Sequence, residues 1–172
     1  MNTQIKICGP LLNKIRVDLH RGHPFAFERV GFVTAGASWT LAGDLVLLCR
    51  DYQSVADEDY ERSSTAGARI GSNAMRKALQ AAYRHRSTIL HIHTHGGMGR
   101  PEFSSVDLNS AREFVPGFFN ALPQMPHGIV VLSNDSARGL LWLGPKDRPR
   151  YIDGFQQVGS PIIKFGGAHE PA

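Results

Sequence analysis

Cysteine is scarce in this chain, and its scarcity excludes one large class of metal site. The 172 residues include only Cys8 and Cys49, which share no motif spacing. A structural zinc site built from thiolates needs more cysteines than this. Two isolated thiols are typical of reduced cysteines in a cytosolic protein, so we expect a cytoplasmic location.

Long hydrophobic runs are also missing. No apolar stretch approaches the ~18–20 residues that a membrane-spanning helix needs. Residues 1–4 lack the basic start and long apolar segment of a secretory signal. With 42% hydrophobic and 20% charged residues, the composition is that of one globular domain without a membrane partner.

Basic runs interleaved with aromatic residues are absent as well. The net charge is +4 and the isoelectric point about 9.3, but the arginines are scattered along the chain. The densest group, at residues 76–86, falls on a predicted helix and is explained by a solvated face. We therefore expect no nucleic-acid partner, although a basic module associated with nucleic acid stays an alternative. The same charge could steer an acidic protein partner.

Apolar periodicity predicts a chain that mixes strands and helices without a regular βαβ rhythm. We expect strands at residues 15–19, 45–50, 87–93, 128–132 and 139–143, and helices at 71–86, N-capped by Ser72, and 106–119. The polar, acidic stretch at 51–64 is predicted to be a surface loop. This pattern favours an α+β fold over residues 1–159 around a mostly antiparallel sheet, followed by a fraying Gly/Pro-rich tail at 160–172.

Histidines at the end of the predicted strand at 87–93 are the main chemical signal. On a strand, His93 and His95 lie on one face, roughly 6.5–7 Å apart along the backbone. Asp107 follows twelve residues after His95, across a Gly/Pro loop. Two imidazoles, one carboxylate and an open fourth position are typical of a catalytic zinc site.

The order of these residues resembles the JAMM signature of the JAB/MPN metallopeptidases. Glu28 precedes a Gly-containing apolar segment at residues 29–36, then come His93-Thr94-His95 and Ser104-x-x-Asp107. The resemblance implies the MPN/JAB fold, a cytidine-deaminase-like three-layer sandwich. In that fold a mixed, mostly antiparallel sheet is flanked by helices.

The motif departs from the usual form at two points. The loop at residues 96–103 has eight residues, one more than is common in the family, and Gly96 stands where a proline usually follows the second histidine. An alternative register uses His91 and His93 as the ligand pair. We prefer His93 and His95, because Thr94 suits the middle position and the loop length then departs least.

Carried over position by position, the resemblance implies a role for each motif residue. His93, His95 and Asp107 would bind Zn²⁺, and a water would occupy the fourth position. Glu28 would act as general base, and Ser104 would donate a hydrogen bond to the oxyanion. Without the resemblance, Glu28 would be interpreted as an exposed charge and Ser104 as a helix cap.

The loop at residues 96–104 looks most like bacterial members encoded beside E1-like and E2-like enzymes of ubiquitin-like conjugation systems linked to antiphage defence. The resemblance implies a zinc isopeptidase or peptidase that cleaves after the C-terminus of a ubiquitin-like protein, in deconjugation or precursor processing. We expect the C-terminal tail of that protein to bind extended, and the stretch at 51–64 to contact it. The alternative is a non-catalytic MPN scaffold that binds a ubiquitin-like partner.

Overall fold

Nine strands form one mixed sheet in the computed structural model, which describes residues 1–22, 27–62 and 67–168. In chain order the elements are β1 (Thr3–Cys8), α1 (Gly9–Leu19), β2 (Val30–Trp39), β3 (Leu45–Ser54), a 3₁₀ turn (Asp57–Asp59), α2 (Ser72–Arg84), β4 (Thr88–Thr94), α3 (Ser105–Ala121), β5 (His127–Leu132), β6 (Ala137–Trp142), β7 (Arg150–Tyr151), β8 (Gly154–Val158) and β9 (Ile163–Lys164).

The strand order across the sheet is β7-β6-β5-β4-β2-β3-β1-β8-β9. Strand β1 pairs in parallel with β3 and β8, and β4 pairs in parallel with β5. The other neighbouring strands are antiparallel. Strand β4, which carries the histidines, therefore lies inside the sheet between β2 and β5.

The three-layer sandwich expected from the resemblance is wrong for this chain. The sheet curls into a half-barrel, and strand (35%) outweighs helix (28%) in the structure. Adjacent strands rotate by roughly 20–25° relative to one another, so the twist accumulates over nine strands. The three helices contact only part of this curved sheet, in contrast to the full helical layers of the expected sandwich.

Two apolar cores lie on opposite faces of the sheet. Helix α1 packs with Val33 and Leu90 on one face. Helices α2 and α3 pack with Phe32 and Ile89 on the other face. The side chains of β2 and β4 therefore alternate between the two cores, as the period of a strand requires.

The predicted strand at 15–19 is wrong, because these residues end helix α1. Leu11, Ile15 and Leu19 are buried at helical spacing, whereas Val17 is 61% exposed. Pro10 lies in the first turn, where its missing N–H costs no hydrogen bond. The alternation of these five residues fits a strand as well as it fits a helix. Only the longer pattern of buried residues at i and i+4 distinguishes the helix from the strand.

The remaining predicted strands and helices are confirmed to within a few residues. Helix α2 begins at Ser72, but its N-cap is Gly71 and no side chain caps it. The predicted surface loop at 51–64 begins instead as the end of β3, and its residues 63–64 lie outside the described part.

The Gly/Pro-rich tail packs where it is described, since β9 pairs with β8 and Phe165 is buried. Among the described residues, no helix has the length and apolar character needed to cross a lipid bilayer.

Candidate metal centre

Four side chains converge at one end of β4. Glu28, His93, His95 and Asp107 each offer a ligand atom, and these atoms all lie within 4.8 Å of one another. Three separate parts of the chain supply them: the segment before β2, the end of β4, and the first turn of α3. These four side chains could hold a metal ion.

The two histidines are positioned by β4 and its parallel neighbour β5. His93 lies inside the strand, pairs in register with Val131, and is 2% exposed. His95 follows the strand end, and its backbone N–H donates to the carbonyl of Leu132 at 3.0 Å. The Nε2 atoms of the two rings lie 3.1 Å apart.

Asp107 is fixed by the cap of helix α3. Its backbone N–H donates to Oγ of Ser104 at 3.1 Å, and the N–H of Ser104 donates to Oδ2 of Asp107 at 2.7 Å. This capping box holds the carboxylate in the first turn, where the helix dipole also favours negative charge. Burial raises the pKa of Asp107, but hydrogen bonding and charge from His93, with the bonds from Ser104, hold the pKa below its usual range. Asp107 is therefore ionised at neutral pH.

The two imidazoles and the Asp107 carboxylate form a triangle whose edges are close to those between ligands of a small metal ion. Asp107 Oδ1 lies 3.3 Å from His93 Nε2, and Oδ2 lies 3.4 Å from His95 Nε2. Ligands at roughly 2.0–2.1 Å from a tetrahedral ion are separated by roughly 3.3–3.4 Å. The 3.1 Å separation of the two Nε2 atoms is close to the same value. The donor set of two nitrogens and a carboxylate could therefore hold a small divalent metal ion.

Glu28 lies beside this triangle. Its Oε1 atom is 3.8 Å from Nε2 of His95, which is longer than the three edges of the triangle, and its side chain is 29% exposed. The backbone N–H groups of Phe27 and Glu28 both donate to the carbonyl of Gly67, at 2.9 and 3.0 Å. The chain then enters β2 at Val30, which is in register with His93.

Ser104 is exposed and lines the cleft next to Asp107. Its Oγ accepts the capping hydrogen bond from Asp107, which leaves the hydroxyl hydrogen unused by that bond. The structure thus gives Ser104 the role of helix cap that its position alone suggests.

A cleft of about 690 Å³ opens beside the cluster. Glu28, His93, Ser104 and Asp107 line its end at the candidate metal centre. Apolar side chains from α2, α3, the sheet and residues 67–70 line the rest: Val30, Ala68, Ile70, Met75, Val106, Phe114 and Ile129. Two carboxylates and an arginine lie among them: Glu61, Glu113 and Arg69. Asn109 and Ser110 also line the cleft, so polar and apolar side chains contribute to it in similar measure.

His91 lies in the cleft but outside the four-residue cluster. Its ring packs against Phe32 and Phe114, with ring centroids 5.5 and 4.9 Å apart. Burial and the charge of His93 lower the pKa of His91 to about 3, so the ring is neutral. The cluster contains His95 and not His91, in agreement with the preferred register.

Three residues around Glu28 were not singled out from the sequence. Arg29 is almost fully buried, Tyr60 bonds to the backbone of Val30, and Gly67 packs against the Glu28 carboxylate. No local pattern distinguishes Tyr60 or Gly67, because their contacts are made with residues far away in the chain. Among the three, only Arg29 could have been singled out from the sequence, because it lies next to the candidate base Glu28.

Comparison with known proteins adds little to this geometry. No family model matches the chain, and no curated protein matches it. Among solved structures, the STIL N-terminal domain of Trichoplax adhaerens is similar to 80% of this chain, with a TM-score of 0.39 and 8% identity. The chain spans 40% of the length of that structure. The side chains of the site are therefore the basis for any functional proposal.

Proposed function

We propose that this chain is a zinc-dependent isopeptidase or peptidase that cleaves after the C-terminus of a ubiquitin-like protein. In this proposal it acts in the cytoplasm of a bacterium, in a conjugation system with E1-like and E2-like enzymes, by deconjugation or precursor processing. The observation that carries the proposal is the triangle formed by His93, His95 and Asp107, with Glu28 beside it. The site supports this activity without the MPN fold, because one chemistry can recur on unrelated folds.

Each residue of the site has a task in amide hydrolysis. His93, His95 and Asp107 hold the ion. When bound, zinc supplies Lewis-acid chemistry, which lowers the pKa of water and polarises a carbonyl group.

Glu28 accepts the proton of the attacking water on a carboxylate oxygen and passes it to the leaving amine nitrogen. The hydroxyl of Ser104 donates a hydrogen bond to the oxygen that gains negative charge.

The cleft supports an extended peptide as the substrate. Residues around Tyr60 and Ile70 form a short antiparallel bridge, flanked by hydrogen bonds from Glu61 N–H to Arg69 O and from Gly71 N–H to Asp59 O. In such a bridge the backbone groups of Ile70 point away from Tyr60. Ile70 also lines the cleft. An extended C-terminal tail could pair there and bring its last peptide bond to the candidate metal centre.

The experiment is cleavage of a ubiquitin-like fusion protein by the zinc-loaded chain, with and without chelator. Glu28→Gln keeps the shape of the side chain and removes the base, so we expect zinc to remain while turnover falls by about 100-fold or more. Asp147→Asn, at an exposed position outside the cleft, is the control and keeps wild-type turnover. Cleavage that survives in Glu28→Gln or in chelator would contradict the proposal. Stoichiometric zinc without cleavage of any fusion would favour a binding subunit.

A further inference from the structure

The acidic stretch after β3 packs into the fold and holds the chain beside the candidate base. We call the side chains of Asp57, Asp59 and Tyr60 the acidic clamp. Asp59 accepts hydrogen bonds from Lys77 at 2.7 Å and from Asn73 at 2.6 Å, both on α2. One end of the clamp is therefore anchored on a helix.

Tyr60 completes the hydrogen bonding of the first residue of β2. Its hydroxyl oxygen accepts from the N–H of Val30 at 2.9 Å, and its hydroxyl donates to the carbonyl of Val30 at 3.2 Å. Strand β3 ends at Ser54, opposite Gly31, so no strand neighbour reaches Val30 on that side. The phenol therefore takes the place of a missing strand at a buried position, where unpaired backbone groups are costly.

Asp57 fixes the residue between Val30 and Glu28. The guanidinium of Arg29 lies 2.8 Å from the Asp57 carboxylate, and its Nε donates to the carbonyl of Arg21 at 2.8 Å. The Arg29 side chain is 2% exposed and lies over the ring of Tyr60. Both residues that follow Glu28 are thus held by the clamp.

The same stretch also reaches Glu28 from its other side. Glu61 N–H donates to the carbonyl of Arg69 at 2.9 Å, two residues after Gly67, and Gly67 accepts the backbone hydrogen bonds of Glu28. A rotation of the Glu28 backbone would therefore break contacts on both sides.

We infer that Tyr60 is a positioning residue for Glu28, an inference that rests on the proposed function. Tyr60 acts through the backbone of Val30. The clamp fixes the Glu28 carboxylate 3.8 Å from Nε2 of His95, beside the three proposed zinc ligands. A base displaced by about 1 Å loses up to about 100-fold in rate without loss of substrate binding.

The test compares Tyr60→Phe, which removes only the hydroxyl, with Tyr83→Phe at an exposed position of α2. Asp57→Asn is a second variant at a half-exposed carboxylate, which keeps the test open if Tyr60→Phe fails to fold. In each zinc-loaded protein we would measure kcat and KM, zinc content, and the ¹³C signal of the Glu28 carboxyl carbon. That signal is assigned by its loss in Glu28→Gln.

We expect Tyr60→Phe to lower kcat by about 10–100-fold, with KM changed less than two-fold and one zinc per chain. The Glu28 signal shifts, whereas the other glutamate signals stay in place. Asp57→Asn shows the same effects at smaller size, and Tyr83→Phe shows none. A purely structural tyrosine would lower the folded fraction and leave kcat per folded molecule unchanged.

An unmoved Glu28 signal in a folded Tyr60→Phe or Asp57→Asn protein would overturn the inference. So would a shifted signal with kcat equal to that of Tyr83→Phe. If the wild-type chain cleaves no fusion, the proposed function fails, and the carboxyl signal still decides whether Tyr60 positions Glu28.

Discussion

Glu28 packs directly against the backbone of Gly67. A Cβ atom on Gly67 would lie 2.7 Å from Oε2 and 2.8 Å from Cδ of the Glu28 carboxylate. Such distances are too short for non-bonded atoms, so Gly67→Ala must displace the carboxylate. We expect turnover to fall by about 10-fold or more while zinc content stays at one per chain, because the triangle of ligands is untouched.

The control for this variant is Gly117→Ala in α3, where a Cβ meets no atom within 4 Å. It keeps turnover at the wild-type level and gains up to about 1 kcal/mol of stability, since alanine is the better helix former. Equal activity in Gly67→Ala and Gly117→Ala would show that the place of the Glu28 carboxylate does not limit the reaction.

Asp107→Asn separates the capping role of Asp107 from its role as a ligand. The asparagine oxygen can still accept from the N–H of Ser104, so helix α3 keeps its cap. The lost negative charge lowers zinc affinity by at least about 100-fold, since even residues behind the ligands contribute 10–100-fold. Competition with a chelator measures the affinity. Asp147→Asn, on an exposed loop, is the control, and unchanged zinc affinity in Asp107→Asn would exclude Asp107 as a ligand.

His91→Phe and His95→Phe decide which histidine pairs with His93. Each change keeps an aromatic ring and removes the nitrogens. His91 packs between Phe32 and Phe114, so His91→Phe keeps those contacts and we expect one zinc per chain. His95→Phe removes one corner of the triangle of ligands, so we expect this variant to lose its zinc. The reverse result, measured as metal content after dialysis, would assign the ligand pair to His91 and His93.

A buried histidine outside the site makes stability depend on pH. His127 is fully buried, its Nδ1 accepts from the N–H of Ile89 at 3.1 Å, and its Nε2 donates to the carbonyl of Leu122 at 3.0 Å. This arrangement requires the neutral ring. Burial lowers the pKa of His127 to about 4, although the hydrogen bond to Leu122 raises it in part.

Stability is therefore lost as the pH falls below the ordinary histidine pKa of about 6.5. Between pH 6.5 and 4 the unfolded chain binds a proton at residue 127 that the folded chain does not. From pH 7 to 4.5 the wild-type free energy of unfolding should fall by about 2–3 kcal/mol more than that of His127→Gln. Denaturant titrations of the chelated protein measure this, with His85→Gln as the exposed control. Parallel pH profiles of wild type and His127→Gln would contradict the assignment.

The part of the site that can be predicted from the sequence follows from the local spacing of its residues. His93 and His95 are close because alternation on β4 places them on one side. Asp107 is fixed in the first turn of α3 because Ser104-x-x-Asp107 is also a helix-capping pattern. These positions follow from short-range rules of strands and helix ends.

The rest of the fold and the site depends on contacts between residues that are far apart in the chain, and local sequence patterns do not predict such contacts. Tyr60 and Val30 are 30 residues apart and are joined by the packing of the stretch after β3. The placement of β1 between β3 and β8 likewise depends on contacts between the two ends of the chain. The expected sandwich failed here, because sheet curvature depends on all nine strands together.

Zinc K-edge X-ray absorption of the protein loaded with one equivalent of zinc is the most direct test of the proposed zinc site. We expect two imidazole nitrogens and two oxygens at roughly 2.0–2.2 Å, with no sulfur ligand. One imidazole contribution should be lost in His95→Phe and none in His91→Phe. Failure to retain one zinc per chain, or a spectrum with fewer than two imidazoles in the wild-type protein, would exclude this site.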